Sequence, residues 1–159
     1  MKKLIFILLL GLGLLYTAKP TQAATYVEVP KNSGFKAYMD YRTITKHDSP
    51  QYRISEKSKT DGNGLRIYES RYCVAIGTGF KAPVGTKVNV YLDNGQLLYC
   101  VVGDLKANIH TDETHMISGH GNVVEFIVDT DTLDHDAMYH GDISQIEGFE
   151  GKVDTIVVL

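Results

Sequence analysis

Asp93-Asn94-Gly95 stands between two runs in which apolar residues recur at every second place, 87–92 (KVNVYL) and 96–102 (QLLYCVV). An Asn-Gly pair flanked in this way is the strongest short-range hairpin signal, because the glycine supplies the positive φ that a tight turn demands. The chain must therefore accommodate an antiparallel β-pair with one face turned inward. Other segments carry the same period of two. In 34–44, Phe35, Ala37 and Met39 alternate with polar neighbours, and 71–76 (RYCVAI), 123–128 and 153–159 (VDTIVVL) also read as strands. The stretch 45–63 is polar and broken by Asp48-Ser49-Pro50 and Asp61-Gly62-Asn63-Gly64, so it reads as a loop with a short strand near 52–54. Residues 77–85 form a turn-rich connection in which Gly85 allows a tight strand entry, and 103–121 is a long, polar, His-rich loop. The best helix candidate is 132–138, with Asp134 and Asp136 early in it. The expectation is a mainly β domain of six strands with one short helix. Closure into a small barrel would remove exposed strand edges.

The first 23 residues read as a processing signal rather than as fold. Lys2 and Lys3 precede an apolar run of twelve, Leu4 to Leu15, and Thr21 and Ala23 sit three and one places before a plausible cut. Twelve residues fall short of the roughly 20 that span a bilayer. With no Cys near the cut, the expectation is a protein exported and released without a membrane anchor. Residues 24–33 are then a lead-in and 34–159 a single domain. The 136 residues that remain hold 13 basic and 19 acidic side chains, divided unevenly. Residues 24–92 carry 11 basic and 6 acidic residues, and 93–159 carry 2 and 13. That acidic half argues against a nucleic-acid partner, which demands a basic footprint. It allows either a carboxylate-using or cation-binding site, or a solvated acidic face. The two cysteines of an exported chain predict a Cys73–Cys100 disulfide, with two buried thiols as the alternative. On their strands Cys100 shares parity with Asp104, and Cys73 with Gly77, so such a bridge would stiffen the floor beneath Asp104.

Several segments, taken in order, resemble the double-psi β-barrel of the three-aspartate domains and the rare-lipoprotein-A-like domains. Lys36-Ala37-Tyr38 resembles the opening T-A-Y strand, and 72–77 (YCVAIG) the V-A-V-D strand. The most specific match is 82–90 (APVGTKVNV), which resembles I-P-L-G-T-K-V-x-V. Residues 97–104 (LLYCVVGD) resemble the next strand, ending A-x-D; 124–128 (VEFIV) the R-I-D-L-F strand; and 151–159 (GKVDTIVVL) the closing G-x-x-x-V-x-V-x-L. The resemblance runs from Gly34 to Leu159. It implies a six-stranded double-psi β-barrel acting on bacterial cell-wall glycan. Enzymes of this type, similar to the catalytic barrel of membrane-bound lytic transglycosylase A, cleave the muramic acid to glucosamine bond without water and leave a 1,6-anhydro sugar. Their catalytic Asp falls at Glu125 here. The Asp of the A-x-D strand falls at Asp104, and the Asp of V-A-V-D at Gly77. The D-x-G-G-A-I-K-G stretch is replaced by Leu105–Asn108 (LKAN) and an insertion carrying His110-Thr111-Asp112.

The residues themselves allow that chemistry. Glu125 shares a strand face with Val123, Ile127 and Asp129, so it is a carboxylate between two β-branched side chains. Protonated, such a group can serve as general acid to a glycosidic oxygen; ionised, it can take the proton of the sugar's own hydroxyl. A hydrolase would instead need a second carboxyl about 5 or 6.5–9.5 Å away, for which Asp104 is the candidate. Lys106, His110 and Asp112 are the substrate-binding candidates, and Tyr38, Tyr41 or Tyr72 could stack on sugar rings. His110-x-Asp112 is also similar to the H-F-D of expansins, barrels that loosen wall polysaccharide. Five of the six histidines (His110, His115, His120, His135 and His140) fall within 31 residues among carboxylates, without a tight ligand spacing. No metal or cofactor is assigned. Three functions stand in order: a lytic-transglycosylase-like enzyme on peptidoglycan, with Glu125 as acid/base and Asp104 as its partner; a non-catalytic glycan-binding or wall-loosening module; and a secreted metal-binding protein.

Overall fold

The computed structural model describes residues 23–159, so the expected signal peptide lies outside the described residues up to position 22. Nine strands form one mixed sheet: β1 (Thr25–Glu28), β2 (Tyr38–Asp40), β3 (Lys59–Thr60), β4 (Arg66–Tyr68), β5 (Arg71–Ile76), β6 (Lys87–Leu92), β7 (Leu97–Leu105), β8 (Glu125–Val128) and β9 (Val153–Val158). Two short helices, α1 (Pro50–Lys57) and α2 (His135–His140), accompany them. The expected six strands and one helix are thus corrected to nine and two, within a fold that is mainly β. The sheet runs β1-β9-β6-β7-β5-β4-β3, and β8 leaves that path by pairing antiparallel with β5 and parallel with β2. Among the described residues no ladder joins β1 to β3, so the hydrogen-bonded path does not close on itself.

The hairpin at 93–95 forms as its sequence demands. Gly95 has φ 87°, its N–H donates to the Leu92 carbonyl at 3.0 Å, and the Asn94 side-chain oxygen accepts from the Gln96 N–H. It joins β6 to β7, and β7 then lies parallel to β5. The pairs β5–β7 and β2–β8 are the two parallel pairs of the sheet. Four residues of the 24–33 lead-in form β1, which pairs along β9 from Thr25 opposite Val158.

Helix α1 occupies the stretch read from sequence as a loop. Ser49 accepts the Tyr52 N–H at 3.1 Å as N-cap, and Pro50 fills the first helical place, where its missing N–H is no loss. The Ser-Pro pair that looked like a break is therefore a helix start. The strand expected over 34–44 is confined to three residues. Asp40 turns the chain into a 3-10 turn, Tyr41–Thr43, by accepting the Arg42 N–H at 2.8 Å.

The sheet buries side chains on both faces. The larger core collects Val74, Val88, Val90, Cys100, Val102, Phe126 and Ile156. A smaller cluster on the other face, Ile54, Cys73, Val101 and Ile127, lies beneath α1. This division explains why the expected disulfide is absent. Tyr72 pairs with Cys100, and Cys73 with Val101, so the two cysteines sit one step out of register on neighbouring strands. Alternate strand residues point to opposite faces, and Cys100 enters the larger core while Cys73 enters the smaller one. Both are free and buried, and burial pushes both thiols above their usual range.

Candidate functional site

Asp104 reaches its place through an irregularity in β7. Val74 pairs with Val102, but the next residue, Ala75, pairs with Asp104, leaving Gly103 as the extra residue of a bulge. The bulge reverses the parity expected from sequence, so Asp104 faces the side of the sheet that Cys73 occupies and not the side of Cys100. A Cβ on Gly103 would come within 2.6 Å of Ile127 Cδ1, so any larger residue at the bulge would have to displace the end of that side chain. On the other edge of β5, Ala75 pairs with Glu125 of β8. Directly opposed residues share a face, so Asp104, Ala75 and Glu125 form one row with the alanine between two carboxylates. Two strand spacings separate the carboxylate backbones, about 10 Å. Both carboxylate residues are half-buried, while Ala75 is buried.

Helix α1 borders this row. Its Ile54 covers the neighbouring apolar cluster, and its Gln51 Nε2 donates to Asp104 Oδ1 at 3.4 Å. The same carboxylate oxygen accepts the Leu105 N–H at 2.8 Å, which restrains the side chain. Gln51 was not legible as a site residue, since its helix was not expected. The sequence signals for this geometry were Ser49-Pro50 as a helix start and Gly103 inside a strand.

Lys106 is buried, 7% exposed, rather than open to a ligand. Its ammonium donates to Ser118 Oγ at 2.9 Å and to the Asn122 carbonyl at 3.1 Å. Burial lowers its pKa to about 8, against an opposing pull from the Glu125 charge. Lys106 thus ties the end of the long loop to the strand that carries Asp104, and gives Glu125 a cation nearby. Asn122 continues the tie, its side-chain oxygen accepting the Ala37 N–H at 3.3 Å.

The remaining candidates lie in that loop. His110 is exposed at the end of the 3-10 turn Asn108–His110. Asp112 is exposed, but its carboxylate is engaged within the loop. Oδ1 accepts the Met116 and Ile117 N–H groups, each at 3.0 Å, and Oδ2 accepts the Thr114 hydroxyl at 2.7 Å. The loop packs against the chain after β5, where Gly79 N–H donates to the His115 carbonyl at 3.1 Å. A Cβ on Gly77 would lie 1.8 Å from that carbonyl oxygen. His115 and His120 are held at φ 56° and 61°, the left-handed region that costs a residue with a Cβ. His135 and His140 lie apart on α2. Among the described residues no three His, Cys, Asp or Glu side chains gather to hold a metal ion. Of the tyrosines, Tyr72 meets Phe126 and Phe149 edge-on and Tyr38 packs on the larger core, whereas Tyr41 lies outside it under the Arg66 guanidinium.

Comparison with protein-family models, with curated proteins and with solved structures finds no match for this chain.

Proposed function

We propose that this chain is an exported enzyme that cleaves the glycan strands of peptidoglycan in the manner of a lytic transglycosylase, with Glu125 as general acid/base. The observation that carries the reading is the single row Asp104–Ala75–Glu125. In the proposed step, Glu125 donates a proton to the oxygen that links muramic acid C1 to glucosamine O4, and the C1–O4 bond breaks. The muramic acid C6 hydroxyl attacks C1, and its proton returns to Glu125, so the carboxyl ends as it began and no water is consumed. Asp104, across Ala75, stabilises the positive charge that builds on the sugar ring. A backbone gap of two strands leaves room for a sugar between the carboxylates and exceeds the pair of a double-displacement glycosidase, about 5–5.5 Å apart. An inverting hydrolase, with carboxyls about 6.5–9.5 Å apart, would fit the same gap and is distinguished by its products. The finer reading of the fold as a double-psi barrel belongs to the same proposal. Its support is the pair of parallel ladders, β5–β7, which carries Asp104, and β2–β8, which begins one residue after Glu125.

A second reading, a glycan-binding or wall-loosening module without catalysis, is favoured by Gly77. The position that would carry the family's first aspartate has no room for a side chain, because the His115 backbone fills it. Digestion of purified peptidoglycan with the processed chain, beside Glu125→Gln, distinguishes the two. Anhydro-muropeptides released by the wild type and absent with the variant support the enzyme. Reducing-end products would mean a hydrolase, with Asp104→Asn as the next variant. Binding to sacculi without soluble products would leave the module.

A further inference from the structure

Beside α1, whose Gln51 reaches Asp104, the helix and the segment 41–47 line an open cleft of about 380 Å3. Tyr52 and Glu56, one turn apart on α1, form one wall, and Tyr41 and Ile44 form the other. The His47 ring lies 4.2 Å from the Tyr52 ring, centre to centre, and closes one end. Tyr41 is held from below. The Arg66 guanidinium is 4.2 Å from its ring centre and is itself fixed by the Thr60 hydroxyl and by the Ser55 and Ser58 carbonyls. The walls are therefore aromatic and rigid, with a carboxylate and an imidazole at the rim. That combination suits a ligand with an apolar face and a polar edge. A pyranose ring has both, since its axial C–H bonds form the face and its hydroxyl and acetamido groups form the edge. The volume lies at the lower end of small-ligand sites, enough for a short saccharide and not for a folded partner.

We propose that this cleft is a subsite for one sugar ring of the strand whose bond meets Glu125, an inference that rests on the glycan reading above. Continuity supports it. Gln51, on one face of α1, donates to Asp104, and Tyr52, on the adjoining face, lines the cleft. A chain of linked sugars crossing the start of α1 meets both.

The test uses the full processed chain carrying Glu125→Gln, so that turnover does not consume the probe, and a peptide-free tetrasaccharide of alternating glucosamine and muramic acid. Binding is read by amide chemical shifts and by calorimetry. The expected result is shift changes concentrated in 41–56, with Kd raised about tenfold by Tyr52→Ala. His47→Ala, at an exposed position, serves if Tyr52→Ala fails to fold, and is expected to raise Kd in the same direction. Shift changes confined to other segments, or a Kd unmoved by either variant, would overturn the subsite. Wild-type cleavage of sacculi with no binding in the cleft overturns the subsite alone. Saturable binding there without cleavage of sacculi overturns the enzyme and keeps the subsite.

Discussion

Asp104 and Glu125 stand on opposite sides of Ala75, one on β7 and one on β8, and both face the side of β5 that carries Cys73. Neither carboxylate is buried in apolar packing, and neither belongs to an ion pair among the described residues. Replacing either should therefore change chemistry far more than stability.

Glu125→Gln is expected to lower anhydro-muropeptide release by about 10²- to 10⁴-fold, the usual contribution of a general acid/base. Asp104→Asn, which removes only electrostatic support, should cost about tenfold, a barrier change near 1.4 kcal/mol. Both variants should melt within a few degrees of the wild type. Product quantification with thermal melts checks both halves, and equal losses in the two variants would mean that the carboxylates act as a pair.

The strands beneath this row and its two carboxylates are legible in the sequence, whereas the row itself is not, for an identifiable cause. The hairpin, β5, β6 and β9 announce themselves because alternation with a buried face leaves a period of two in residues such as Val88, Val90 and Leu92. Strands of two or three residues, such as β3 and β4, are too short to show a period. Helix α1 hides because only Ile54 and Ser55 are buried along it, so it carries no long apolar stripe. Asp104 was placed on the wrong face because the expected parity assumed an unbroken ladder, and one glycine breaks it.

The same alternation bears on the thiols. With Cys73 and Cys100 on opposite faces, treatment with a reductant should leave the melting temperature unchanged. Alkylation without reductant should label both cysteines once the protein is unfolded and neither while it is folded, since both are almost fully buried. Intact mass after each treatment is the measurement. A melting temperature that falls on reduction would mean a bridge between them.

Gly77 tests the fit of the long loop. An Ala there places its Cβ against the His115 carbonyl, a backbone group with no rotamer to yield. Gly77→Ala should destabilise the protein by about 1–3 kcal/mol, the usual cost of overpacking. The loss should come with faster amide exchange over 111–118. Gly85→Ala is the matching control for backbone conformation: its φ is 94° but open space surrounds its Cβ, so it should cost stability without loosening that loop. Denaturant midpoints and hydrogen exchange on both variants separate contact from conformation.

Lys36 and Lys106 give the fold an alkaline dependence. Lys36 is 1% exposed, with its ammonium on the Gly34 and Gly151 carbonyls at 2.9 and 2.6 Å. Burial lowers its pKa to about 8, as it does for Lys106, while Asp142, Asp93 and Glu150 pull the other way for Lys36 and Glu125 for Lys106. In the unfolded chain both titrate near their ordinary 10.5. Between those values the unfolded chain holds protons that the folded chain has released, so stability rises with pH. The slope is at most about 1.4 kcal/mol per pH unit for each lysine. Below about pH 8 both states are protonated and the desolvation cost is present in full. From about pH 8.5 the Cys73 and Cys100 thiols, and above about pH 10 the Tyr72 phenol, all raised by burial, work in the opposite direction because they keep their protons longer when folded, offsetting part of the gain. Urea denaturation should therefore give a higher midpoint at pH 9.5 than at pH 7.5. In Lys106→Met, which keeps the stem but carries no charge, that gain should shrink by more than half, leaving the share of Lys36 less the opposing share of the two thiols. A midpoint that is flat or falls between the two pH values would mean that the ammonium groups keep their hydration in the folded protein.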